Sequence, residues 1–157
     1  MAPKTTSDEQ YRTRFLDDLE VGESFESDWT SLSIEEMLRF SNEFDRQYFH
    51  TDVEAAADSP FGEVIASGAH TFAVWNLINL DVNGDIAWIA GLGFEEFRFP
   101  NPMRPDVEFK ATSELESVRS SGSDPSRGVT QHRYQLVGRD GALLFTALCI
   151  ALVQRRG

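Results

Sequence analysis

Cysteine, cationic side chains and long apolar runs are all scarce in this chain of 157 residues. Its one cysteine, Cys149, can make neither an internal disulfide nor a zinc site on its own. Lys and Arg number 14 against 26 Asp and Glu, a formal charge of −12. That balance argues against a general phosphate-backbone binder, because such binding runs on clustered cations that release counterions, so no nucleic-acid partner is expected. The first ten residues are polar and hold no apolar signal-peptide core, and the run from Ala142 to Val153 is far too short to span a bilayer. A soluble, cytoplasmic protein without membrane association is expected. No internal repeat or low-complexity segment appears.

A chain of this length buries about 70% of the surface its unfolded form exposes, so one core suffices without staples. Residues 1 to about 13 read as a flexible polar arm, and 14–157 as a single domain. Val21 to Thr30 reads as a first strand. Ser33 and Glu36 form a capping box, followed by Ile34, Met37, Leu38, Ser41 and Phe44 at helical spacing, which predicts a helix ending near Phe44. Residues 45 to 66 are irregular, with a turn at Ser59-Pro-Phe-Gly62. Long ordered connections in compact domains are usually functional. Ala69 to Leu80 is apolar on nearly every side and predicts a buried helix. Ile86 to Phe99, Asp106 to Arg119, Val129 to Val137 and Leu143 to Val153 read as four more strands. The last is apolar at both parities, as a strand covered on both faces would be. About five antiparallel strands around one buried helix make an α+β architecture. A single such layer leaves a sheet edge open, so a homodimer or a higher oligomer of dimers is expected.

Candidate chemistry gathers between residues 45 and 68. Asp45 and His50 stand in the irregular segment just past a helix. A carboxylate and an imidazole aimed at one water can orient it, take its proton and return one. The same two residues also read as a helix-ending carboxylate and a surface loop histidine. At Ile65-Ala-Ser-Gly68, Ser67 can cap the next helix, and Gly68 lets another group approach the backbone closely. The unpaired N–H groups of that first turn can stabilise charge developing on a carbonyl oxygen, or can simply start a helix. His70 reads as packed or interfacial, His132 as part of a strand face, and Asn76 either as a pocket residue or as a core amide. Arg98, Arg104 and Lys110 lie near strand ends and read first as solvated surface charges, and second as candidates to meet phosphates.

Phe44-Asp-Arg-Gln-Tyr-Phe-His-Thr-Asp52 together with Ser59-Pro-Phe-Gly-Glu-Val-Ile-Ala-Ser-Gly-Ala-His-Thr71 resembles the signature of MaoC-like dehydratases and (R)-specific enoyl-CoA hydratases. A further family-like stretch runs from Gly91 to Pro105. The resemblance implies the hotdog fold. It also implies reversible syn addition of water to a trans-2-enoyl thioester of CoA or an acyl carrier protein, giving the (R)-3-hydroxyacyl thioester, as in fatty acid metabolism. In that family the Asp and the His activate the water and the helix-start glycine holds the thioester oxygen, roles that map onto Asp45, His50 and Gly68. Ser67, Asn76 and Arg104 are then candidate substrate contacts, and no metal or other cofactor is required; His50, His70 and His132 are too scattered to bind one together. Two departures bear on the substrate: Gln47-Tyr48 stands where the best-known hydratases have Asn-Pro, and Ser67 where they have His.

Two other functions compete. A hotdog acyl-CoA thioesterase looks for a carboxylate on the central helix or a nearby loop, and Ala69 to Leu80 carries none. A non-catalytic, acyl-binding subunit of a hotdog heterodimer has no need of the Asp45, His50 and Gly68 set.

Overall fold

The computed structural model describes residues 13–157, so the expected arm lies outside the described residues except for Thr13. Thr13 is already tied down, its N–H donating to Asp85 O at 2.8 Å. A 3-10 turn at Leu16–Asp18 follows. The first strand, β1 (Ser24–Glu26), is much shorter than the ten residues expected. Gly22, at φ 93°, turns the chain before it, and Thr30 returns only as an isolated bridge to Phe109.

Helix α1 (Ile34–Phe44) begins as the capping box requires: Glu36 N–H donates to Ser33 Oγ, and Ser33 N–H donates to the Glu36 carboxylate at 2.9 Å. The irregular segment after it holds two short helices, α2 (Tyr48–Thr51) and α3 (Val53–Ala57), the second capped by Asp52. Helix α4 (Gly68–Asn83) starts where Ser67 caps it and runs three residues past the expected end.

Four long strands follow, β2 (Trp88–Arg98), β3 (Phe109–Ser120), β4 (Arg127–Gly138) and β5 (Leu143–Gln154). They form one antiparallel sheet in the order β1-β3-β4-β5-β2. The β4–β5 turn is made by Gly141 at φ 86°, with Asp140 accepting from Ala142 N–H. As its two apolar parities predict, β5 is an interior strand with buried residues on both faces, Phe145 and Ala147 against Leu144 and Leu148.

One face of the sheet packs Phe109, Tyr134, Leu136 and Phe145 against Val74, Trp75 and Ile78 of α4. A smaller cluster of Leu16, Leu19, Ile86, Leu115 and Val153 closes the other end. Strand β2 carries a register shift between Glu95 and Arg98, with Glu96 in the left-handed region at φ 51°. Residues three apart on a regular strand point to opposite faces. The bulge instead lets Phe94 and Phe97 both reach Phe72 of α4, at centroid distances of 5.4 and 5.3 Å.

One expectation fails. Helix α4 is not buried all round, because Ala69, Ala73, Asn76, Leu77 and Leu80 are exposed. The sheet of one chain covers only one side of a helix that is apolar on both. Ile89, Leu92 and Phe94 of the edge strand β2 are exposed as well.

Candidate active site

Asp45 is the residue at which α1 stops: its N–H still bonds to Ser41 O, but its own backbone has left the helical region. The chain then re-enters a helix at once, and His50 falls in α2, one turn from that break. His50 is 5% exposed, and its Nδ1 lies 2.7 Å from Ile65 O. A carbonyl only accepts, so Nδ1 carries the hydrogen and Nε2 of the neutral ring presents its lone pair. That Nε2 faces Asp45 Oδ2 at 3.9 Å. The gap is too long for a direct hydrogen bond. A water between two acceptors can donate one hydrogen to each, leaving its oxygen lone pairs free to attack.

Gly68 is the first residue of α4. Ser67 Oγ accepts the His70 N–H, and Ser67 O accepts from both the Thr71 N–H and its hydroxyl, which fixes the first turn. The N–H groups of Gly68 and Ala69 have no acceptor among the described residues. They stand at the positive end of a 16-residue helix. A Cβ on Gly68 would lie 3.0 Å from the Phe99 ring, so any larger residue here would require that ring to move by a few tenths of an ångström. His50 and Gly68 line the same pocket, of about 330 Å³, together with Phe49, Phe61, Thr71 and Phe99 among others. Asp45 is not part of its lining and reaches the site beside the His50 ring.

The remaining expected residues are placed differently. Ser67 is fully buried and its hydroxyl is engaged as the cap. Asn76 lies on the exposed stripe of α4, neither in the pocket nor in the core, because the helix turns that face away from the sheet. Arg104 pairs with Glu63 and donates to Phe61 O at 3.0 Å, pinning the turn at 59–63 to the loop before β3. Lys110 pairs with Glu26, and Arg98 donates to Phe97 O. The longer α4 includes Asp81, an acid the expected helix lacked, but it stands ~20 Å along the axis from Gly68.

The other two histidines are packing residues. His70 stacks on Phe40 at 4.2 Å and His132 lies between Trp88 and Tyr134. Burial pushes both rings from the ordinary 6.5 down to about 4, so both are neutral at pH 7. Burial raises the Cys149 thiol to about 11, which leaves it no nucleophilic role at neutral pH. Among the described residues no cluster suited to a metal ion occurs, and no helix is long and apolar enough to cross a membrane. Sequence reasoning missed Thr71 and Phe99 as pocket residues and the Ile65 carbonyl as the partner that orients His50. Thr71, one helical turn beyond Gly68, was within reach of a spacing argument. A backbone carbonyl carries no sequence signal.

An oriented base beside a carboxylate, sharing a pocket with unpaired helix N–H groups, can activate water next to a carbonyl. The chain is 36% identical over 97 residues to the uncharacterized protein YdeM of Bacillus subtilis, covering 59% of this chain and 67% of that protein. It is 33% identical over 102 residues to 3-hydroxyacyl-thioester dehydratase Z of Mycobacterium tuberculosis, covering 62% and 67% respectively. The crystal structure of a MaoC-like dehydratase from Rhodospirillum rubrum superimposes with a TM-score of 0.85 at 32% identity, covering 92% of this chain and 99% of that one. The sheet and its helix are the hotdog fold. The family model of the MaoC like domain matches residues 18–134, a span that contains Asp45, His50 and Gly68, and the chain belongs to that family.

Proposed function

We propose that this chain is a hydro-lyase that adds water reversibly to a trans-2-enoyl-CoA to give the (R)-3-hydroxyacyl-CoA. The observation that carries the reading is the His50 ring, held by Ile65 O so that its Nε2 lies 3.9 Å from Asp45 Oδ2, close enough for one water beside them to donate to both. Water bound there attacks C3. One of its hydrogens passes to the Asp45–His50 pair, and the pair returns a proton to C2 from the same face, so its protonation is unchanged over the cycle. The electron pair of the C2–C3 double bond moves onto the thioester oxygen during attack. Gly68 N–H holds that oxygen, and the pair flows back to C2 as the proton arrives. The relationship to 3-hydroxyacyl-thioester dehydratase Z supports this reaction class. A thioesterase is less favoured, because no helix carboxylate reaches the pocket.

The working form in this reading is a homodimer. Strand β2 is a sheet edge, paired only with β5 among the described residues, and its exposed Ile89, Leu92 and Phe94 adjoin a helix with its own uncovered apolar stripe. Such edges are normally paired or covered.

Loss of the conjugated thioester's ultraviolet absorbance on mixing with crotonyl-CoA, with free thiol followed in parallel, tests the reaction. Absorbance loss without thiol release is expected. Thiol release would make the chain a thioesterase instead.

A further inference from the structure

The space beside Gly68 on the sheet side of α4 is filled with aromatic rings, so an acyl tail whose carbonyl oxygen sits on the Gly68 N–H finds no room to extend in that direction. Phe99 lies over Gly68, its ring 3.0–3.3 Å from where a Cβ would stand. From Phe99 the rings continue in contact, to Phe97 at 5.2 Å and Phe145 at 5.6 Å, then from Phe97 to Phe72 at 5.3 Å and from Phe72 to Trp75 at 5.2 Å. Trp75 and Tyr134 close the far end at 4.9 Å. Trp75, Tyr134 and Phe145 are at most 2% exposed. Phe99 is itself 42% exposed, at the mouth of the series, but the rings behind it touch at these spacings and a close-packed interior has no slot for a run of methylenes. Forcing extra methylenes into such a core drives side chains off their rotamers and weakens binding.

In front of these rings lies the pocket of about 330 Å³ that holds His50 and Gly68, and the neighbouring hollow of about 250 Å³ that shares its Asn101, Pro102 and Met103 lies on the side of Arg104 and Leu144, away from the rings. Ligand pockets span roughly 300–1,000 Å³, so the first is at the small end of the range. It must hold the thioester and the attacking water as well as the acyl group. We infer that the enzyme takes short acyl thioesters, of crotonyl size, and that Phe99 is the residue that sets this length. The inference rests on the hydratase reading above and adds the substrate class.

Phe99 is the ring to test because it is the one member of the series that both lines the pocket and touches the packed rings behind it. Removing it joins the pocket to the space beside Phe97 and Phe145. The experiment compares kcat/KM for crotonyl-CoA, trans-2-octenoyl-CoA and trans-2-dodecenoyl-CoA in the wild type, Phe99→Ala and Phe99→Leu. In the wild type, crotonyl-CoA should exceed dodecenoyl-CoA by more than about tenfold, the order of discrimination that even one methylene carries in a hydrophobic pocket. Phe99→Ala should shift that ratio at least about tenfold toward the longer substrates. Phe99→Leu should fall between, and it serves as the reading if the alanine variant does not fold. Equal or better turnover of dodecenoyl-CoA by the wild type, or an unchanged ratio in the folded variants, overturns the length assignment while leaving hydration standing. Failure of the folded wild type to hydrate any of the three overturns the hydratase reading and this inference with it.

Discussion

His50 contributes to the site through both ring nitrogens, and the two have separate jobs. Nδ1 is spent on the Ile65 carbonyl, and only Nε2 is available for water. His50→Ala should therefore lower kcat by about 10²–10⁴-fold, the usual yield of positioned acid–base catalysis. Combining it with loss of the Asp45 carboxylate should cost little more, since both groups act on one water. Steady-state kinetics on the three proteins, with circular dichroism to confirm folding, checks this. The spacing of Asp45 and His50 was legible in the sequence because both belong to one short segment. Phe99 was not, since it reaches Gly68 only through the path of β2, and nothing in its neighbours' chemistry marks that contact.

The helix starts were legible because capping is local chemistry. Ser33 and Ser67 each bond the N–H three residues on, and α1 and α4 begin where those bonds dictate. Ser67 also shapes the site, because the turn it caps presents the Gly68 N–H. Ser67→Ala should cost about 1 kcal/mol, a fall in Tm of roughly 2–4 °C for a chain of this size. Thermal unfolding measures it, and kcat should fall with the fraying of that turn. The element-scale misses have physical causes. β1 is cut short by the left-handed turn at Gly22, and the bulge in β2 depends on a tertiary fit against Phe72 that no period-2 pattern encodes. An apolar helix reads the same whether its second face meets its own sheet or another chain, so the uncovered stripe of α4 could not be foreseen.

At the scale of the molecule, two buried histidines tie stability to pH. His70 and His132 are held near 4 in the folded chain by burial, against the ordinary 6.5 when exposed. The unfolded chain thus binds more protons through that interval, and stability rises with pH across it. Acidification from 6.5 toward 4 should lower Tm progressively, and His70→Phe with His132→Phe should flatten that slope; differential scanning calorimetry across the window tests it. Assembly gives a second prediction. Sedimentation should find the wild type at twice the chain mass, and Leu77→Lys with Leu92→Lys should return it to a single chain. A monomeric wild type would contradict the pairing of β2 edges. The five strands and the apolar helix they pack against were legible from apolar runs and turn residues, which act along the chain; the order of the strands in the sheet was not. The uncovered stripe of α4 was not, because it depends on which side of the helix the sheet reaches.

The central claim is that the Asp45 carboxylate and the His50 ring hold the attacking water between them. Replacing Asp45 by Asn keeps the side chain's size but removes an acceptor that charge makes strong. The most direct test is kcat for crotonyl-CoA hydration by folded Asp45→Asn beside the wild type. The expected result is a loss of at least about 100-fold with Tm little changed; turnover equal to that of the wild type would contradict the assignment.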